Sequence, residues 1–138
     1  MRNLTPYLHF AGNAEEAMLY YKSILGGEFS IFSRYGEIPG GDKIPAHEQH
    51  KLIHVSLKVS DVITIMATDT LDVMDQKVEA GNNFHIVIHT ESVEETNRLF
   101  EKLSDDGDVE MPLNKTFWGS YFGMCRDKFG IQWMIEFT

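Results

Sequence analysis

Hydrophobic and polar positions along this chain follow two periods, and the periods alternate in the same order twice. From Leu4 to Phe10 the period is two. Leu4, Pro6, Leu8 and Phe10 share one phase and Thr5, Tyr7 and His9 the other, predicting a strand with Pro6 near its start, where a missing N–H is tolerable. From Asn13 to Leu25 the period turns helical, with Ala14, Ala17, Met18, Tyr21 and Leu25 as the buried stripe. Asn13 is the expected cap, Glu16 its capping-box partner, and Gly26-Gly27 the stop. Glu28 to Tyr35 reads as a second strand. Gly36 to His50, with Pro39, Gly40-Gly41 and Pro45, reads as a long loop. Loops of that length in a compact domain are usually functional or mobile, so this one is a candidate lid. Lys51 to Val59 alternates again, Asp61 marks a turn, and Val62 to Thr68 returns as its hairpin partner.

Asp69 to Asn83 is polar and weakly periodic, and reads as a connector. The plan then restarts. Phe84 to His89 alternates. Ser92 to Leu103 is helical, capped by Ser92 with Glu95 and buried through Val93, Thr96, Leu99, Phe100 and Leu103. Asp105-Asp106-Gly107 ends it. Strands follow around Val109 to Met111, over Tyr121 to Arg126 and over Ile131 to Phe137, the last two joined by a turn at 127–130. Asn13-Ala-Glu-Glu therefore matches Ser92-Val-Glu-Glu, and each helix sits between one strand and several. The reading is α+β, with two half-domains of about 1–70 and 83–138 packed side by side and a groove between them for a ligand.

Each helix must bury its stripe on the apolar phase of its strands, so the other phase faces away. Tyr7, His9, His54, Ser56, Met66, His85, Val87, His89, Met134 and Glu136 fall on that second phase, including four of the six histidines. If the sheet curls, these side chains line a cavity. Imidazole and carboxylate there form a normal metal-ligand inventory, and neutral histidine also serves as acid or base near neutral pH. The same polarity is what water alone would select on the outer face of an antiparallel sheet.

The 138 residues suit a single domain, and 43% hydrophobic content gives it a core without disulfide or metal staples. Acids outnumber bases 21 to 12, for a net charge of −9, which repels phosphate backbones and anionic membranes. Nucleic acid and membrane are thus excluded as expected partners. No signal peptide or membrane-length apolar run is present, and one cysteine, Cys125, allows no internal disulfide, so a soluble cytoplasmic protein is expected. Cys125 lies mid-strand and reads as a buried structural thiol. Phosphate loops, dinucleotide fingerprints, zinc-protease helices and serine nucleophile elbows are all missing.

Several stretches carry a resemblance. They are Thr116-Phe-Trp-Gly-Ser-Tyr-Phe-Gly123, Asp127-Lys-Phe-Gly-Ile-Gln-Trp133, Thr5-Pro-Tyr-Leu8, Gly12-Asn-Ala-Glu-Glu-Ala17, Tyr20-Tyr-Lys22 with Gly26-Gly27, and Ile53-His54 with Leu57-Lys58. Together they resemble the PhnB-like branch of the vicinal-oxygen-chelate superfamily, which holds glyoxalase I, bleomycin-resistance proteins and extradiol dioxygenases. The resemblance implies two βαβββ modules forming a curled mixed sheet around a cavity, helices outside, and a homodimer, in some members with swapped modules. It also implies a metal position near Thr5, one near Thr64 or Met66, one at His85 and one near Met134, with Glu136 two residues further on. Only His85 keeps a ligand there, so the full hard-metal set is not expected.

Three readings follow. The first is a metal-free small-molecule binder using Tyr7, His54, Met66, Phe117 and Trp118. The second is a divalent-metal lyase, isomerase or dioxygenase built on His9, His85 and Glu136. The third is a non-catalytic structural dimer. A ubiquinone-pathway methyl transfer, a label borne by some relatives of this branch, finds no glycine-rich nucleotide loop or doubly wound pattern here.

Overall fold

The computed structural model describes residues 1–138, which form two compact units, Met1–Val78 and Glu79–Thr138. The first contains β1 (Tyr7–Phe10), α1 (Ala14–Leu25), β2 (Glu28–Arg34), β3 (Leu52–Lys58) and β4 (Thr64–Asp69). The second contains β5 (Ile86–His89), α2 (Val93–Ser104), β6 (Asp108–Lys115), β7 (Tyr121–Arg126) and β8 (Gln132–Phe137). Each unit forms its own four-stranded mixed sheet, β1-β4-β3-β2 and β5-β8-β7-β6, with one parallel pair apiece. The βαβββ order is thus present twice.

The repeat extends to the hydrogen-bond register. In β1 and β4 the partners are Tyr7 with Met66, Leu8 with Ala67 and His9 with Thr68. In β5 and β8 they are Val87 with Met134, Ile88 with Ile135 and His89 with Glu136. Side chains alternate faces along a strand, so one register fixes which residues back onto the helix. Leu8, Phe10, Val55, Leu57, Ile65 and Ala67 meet Ala14, Ala17, Met18, Tyr21 and Ile24 in the first core. Trp133, Ile135 and Cys125 meet Thr96, Leu99, Phe100 and Leu103 in the second. A Cβ on Gly123 would lie 2.8 Å from the Phe100 ring, so glycine is what lets α2 close onto β7.

The two helices start differently. Ser92 caps α2 as its sequence predicts, its Oγ accepting from the Glu95 amide at 3.1 Å, while the Glu95 carboxylate takes the Glu91 amide. The predicted cap at the start of α1 does not form: Asn13 makes no side-chain cap bond. The buried carboxylate of Asp69, at the end of β4, takes that place. Its Oδ1 accepts from the Gly12 and Ala14 amides, both at 2.9 Å, and its Oδ2 from the Leu52 amide at 2.9 Å. Asp69 was expected to open a polar connector. Instead it and Leu71 belong to the core, because three backbone donors from two distant segments need an acceptor there.

The long segment between β2 and β3 carries three short 3-10 turns, Tyr35–Glu37, Gly41–Lys43 and Ala46–Glu48. Tyr35 donates its hydroxyl to the Asp69 carbonyl at 2.8 Å, and buried Glu48 anchors the far end. The segment is a packed excursion held from both ends. At its entry Arg34 makes a two-bond ion pair with Glu15 of α1, at 2.8 and 3.1 Å, and holds that carboxyl below its ordinary range.

Removing the Asp69 carboxylate leaves buried amides without an acceptor, at roughly 1–3 kcal/mol each. Urea titration of Asp69→Ala is expected to give a loss of about 3–5 kcal/mol, against less than about 0.5 kcal/mol for the surface control Glu94→Gln. Equal midpoints for the two variants would remove Asp69 from this role.

Candidate functional site

The face of each sheet turned away from its helix holds the chemistry. In the first unit two rows cross the strands. One runs His9, Thr68 and, on β3, His54 beside Ser33 of β2. The other runs Tyr7, Met66, Ser56 and Ile31. Tyr7 bridges them: its ring centroid lies 5.0 Å from His9, edge on, and 5.7 Å from His54. Tyr7 is 44% exposed and Ile31 equally so, leaving an open apolar surface edged by two imidazoles. Of the residues singled out from sequence, Tyr7, His9, His54 and Met66 therefore share one surface. The hydroxyl of Thr68 donates to the Ile53 carbonyl at 2.7 Å, which fixes the strand between the two histidines.

The second unit carries a softer face. Met111, Met124, Met134 and Val87 stand in one row across all four strands, each methionine half-buried. Sequence reading picks out Val87 and Met134 of this row, while two bulges in β6 obscure the phase of Met111. The next row pairs Phe122 with Glu136 and Glu136 with His89. Glu136 accepts from the buried Ser120 hydroxyl at 2.8 Å and stands 3.8 Å from His89 Nδ1. Ser120 was not among the sequence candidates; its only signal was its place after Trp118-Gly119. Phe117 and Trp118 sit at the tip of the β6–β7 hairpin, 98% and 60% exposed, with ring centroids 4.9 Å apart. Trp118 also leans on Phe122, at 6.1 Å.

His85 precedes β5 and bonds through Nε2 to Glu110 of β6 at 3.0 Å. Those edge strands would stand about 14 Å apart across a flat sheet, so the contact requires this sheet to curl. His85 and Glu136 do not meet. The level of Glu136 on β5 is His89, four residues beyond His85 and about 13 Å along the strand. Each already has a polar partner, and Met134 and Val87 offer no hard donor between them. Within this unit the donors do not fit a single divalent ion, which needs several ligands converging at about 2.0–2.2 Å.

A shallow hollow of about 290 Å³ lies at the other end of the β2–β3 ladder from His54, lined by Gly27, Glu28, Phe29, Ser30, Lys58, Ser60 and Asp61. It holds no histidine, and its lysine is engaged with Asp61 at 3.5 Å. No helix is long and apolar enough to cross a membrane.

A family model described as 3-demethylubiquinone-9 3-methyltransferase matches residues 2–136. Protein YjdN of Escherichia coli K12 is 33% identical over 141 residues, covering 96% of this chain and 93% of that protein. The crystal structure of protein PA1353 from Pseudomonas aeruginosa superposes with a TM-score of 0.86 at 34% identity, covering 99% of this chain and 98% of that one. The PhnB protein from Bacillus cereus gives 0.81 at 28% identity, covering 99% and 100%. A glyoxalase/bleomycin resistance protein from Albidiferax ferrireducens shares the fold at a TM-score of 0.63 and 16% identity, covering 97% and 96%.

Cys125 contributes no nucleophile. It is fully buried, and burial, followed by the charges of Asp127 and Glu110, pushes its thiol up to about 12. Iodoacetamide at pH 8 is expected to label the native protein at least about a hundredfold more slowly than the urea-unfolded chain. Equal rates would mean that the thiol is accessible and ionised.

Proposed function

We propose, from the premise that this chain belongs to the 3-demethylubiquinone-9 3-methyltransferase family, the PhnB-like branch of the glyoxalase/bleomycin-resistance/dioxygenase superfamily, that it binds a small organic molecule on the helix-free face of its first sheet. The observation that carries this reading is the ring cluster of Tyr7 with His9 and His54 over Met66, half open to solvent. Rings supply stacking surface, imidazoles give or take a hydrogen bond, and the thioether adapts to shape. This is the mixture of apolar wall and few polar groups that ligand sites use. In the second unit, Met111, Met124 and Met134, with Trp118 and Phe117 at the hairpin tip, offer a second surface of the same kind.

The ligand class is a flat, conjugated molecule with one or two oxygen acceptors. A polyanion is disfavoured by the net charge of −9 and by the absence of Lys or Arg from the Tyr7 cluster.

Methyl transfer, which the family's description names, is not our reading. A nucleoside-bearing methyl donor is usually held by a doubly wound parallel sheet with a glycine-rich first turn, whereas this chain folds as two four-stranded mixed sheets. The metal-dependent alternative would draw on His9, His85 and Glu136, and the separation of His85 from Glu136 leaves no step to assign to a metal. We take the protein to act as a homodimer, following the sequence resemblance, and in the cytoplasm, following the expectation from its apolar runs. Light scattering at twice the chain mass of 15.8 kDa supports the dimer, and scattering at the single-chain mass contradicts it.

Binding is tested with protein carrying ¹³C-labelled histidine rings, titrated with catechol as the simplest flat molecule with two vicinal oxygens. The His9 and His54 signals are expected to move together, and Tyr7→Ala to weaken the affinity about tenfold, about 1.4 kcal/mol. Signals that stay still, or an affinity untouched by Tyr7→Ala, would contradict the site.

A further inference from the structure

The excursion between β2 and β3 ends on a carboxylate in an unusual position. Glu48 is fully buried, at 0% exposure. Its Oε1 accepts from the Asp72 amide at 2.6 Å and from Lys51 Nζ at 3.0 Å. Its Oε2 is also buried and receives no hydrogen bond from the protein. A buried carboxylate oxygen without a donor has lost its water and gained nothing in return. The bond from the Asp72 amide, with Lys51 beside it, holds the carboxyl below its ordinary range.

Two further donors stand next to it. One ligand atom each from His47, Glu48 and Asp72 lie within 4.8 Å of one another. Glu48 cannot turn to solvent, whereas His47 and Asp72 are exposed and can swing. We propose that His47, Glu48 and Asp72 form a divalent-cation site that ties the β2–β3 excursion to the turn after β4.

The local charge permits it. Two carboxylates face one ammonium, Lys51, which reaches Asp72 only at 3.8 Å, so a net negative charge remains for a dication. One imidazole nitrogen with two carboxylate oxygens is a borderline-to-hard donor set, suited to Zn²⁺ or Mn²⁺. Ligand bonds of about 2.0–2.2 Å need the donors roughly 3–3.5 Å apart, so from separations within 4.8 Å the exposed His47 and Asp72 need to close by no more than about 2 Å onto the fixed Glu48. The ion would give Oε2 the partner that the chain does not supply, and would link segments 24 residues apart in sequence.

The experiment uses the full, untagged chain stripped with a chelator and titrated calorimetrically with Zn²⁺ and separately with Mn²⁺. His47→Ala and Asp72→Asn are run beside it, since both keep the Asp72 amide and the Lys51–Glu48 bond. His9→Ala and His85→Ala, outside the cluster, serve as controls. One ion per chain is expected, with affinity reduced at least about tenfold by either cluster variant and unchanged by either control. The thermal midpoint should rise with the ion in the wild type and not in His47→Ala. Absence of a one-to-one ion, or an affinity unmoved by His47→Ala and Asp72→Asn, overturns the site. Loss in the controls alone would assign the ion to the histidines of the helix-free faces and overturn it equally.

Discussion

The carboxylate of Asp69 is the point on which the first unit depends. Three amides from two segments converge on it: Gly12 and Ala14, where β1 turns into α1, and Leu52, where β3 begins. It thereby fixes the entry of the helix, the start of the central hairpin and the end of β4 with one side chain. The consequence is geometric. With β1, β3 and β4 held at these points, Tyr7, Met66, His9 and His54 cannot slip to the helix side. Asp127 has a related role in the second unit, its Oδ1 accepting from Phe129 and Ile131 and its Oδ2 from the Trp133 indole at 2.8 Å. That holds the tight turn and the largest buried side chain of the unit together.

The parts of this fold visible in the sequence are those set by local periodicity. The helix at Asn13–Leu25 is observed at Ala14–Leu25, the one at Ser92–Leu103 at Val93–Ser104, and Tyr121–Arg126 is a strand with those bounds. The alternation around Tyr7, His9 and His54 was enough to put them on one face. What was hidden rests on long-range partners or broken periods. Asp69 bonds 55 and 57 residues away, and nothing near it in sequence distinguishes it from a loop acid. β6 extends over Asp108–Lys115 and not merely Val109–Met111; its bulges and Pro112 break the alternation, and an edge strand tolerates both. Glu48 looked like one more charge in a glycine- and proline-rich loop, yet it is the buried anchor of that loop.

Family membership and site chemistry answer different questions. Relatives at 33–34% identity fix the family, and the distant fold neighbours fix the architecture, but neither assigns a reaction, since one fold hosts many sites. The side chains carry the functional argument. Hard ligands are scattered over the helix-free faces or already bonded: His85 to Glu110, Glu136 to Ser120. Aromatic and thioether groups are instead gathered, Tyr7 with its two imidazoles on one unit and three methionines in a row on the other. That distribution favours holding a conjugated molecule over activating one on a metal.

Native mass spectrometry of untagged protein, equilibrated with a small-molecule cell extract and compared with its denatured mass, tests this account most directly. A stoichiometric organic adduct, released on denaturation and lost in a Tyr7→Ala, His54→Ala double variant that still folds, is the predicted result. Native and denatured masses that agree after every extract, or an adduct that persists in the double variant, would contradict it.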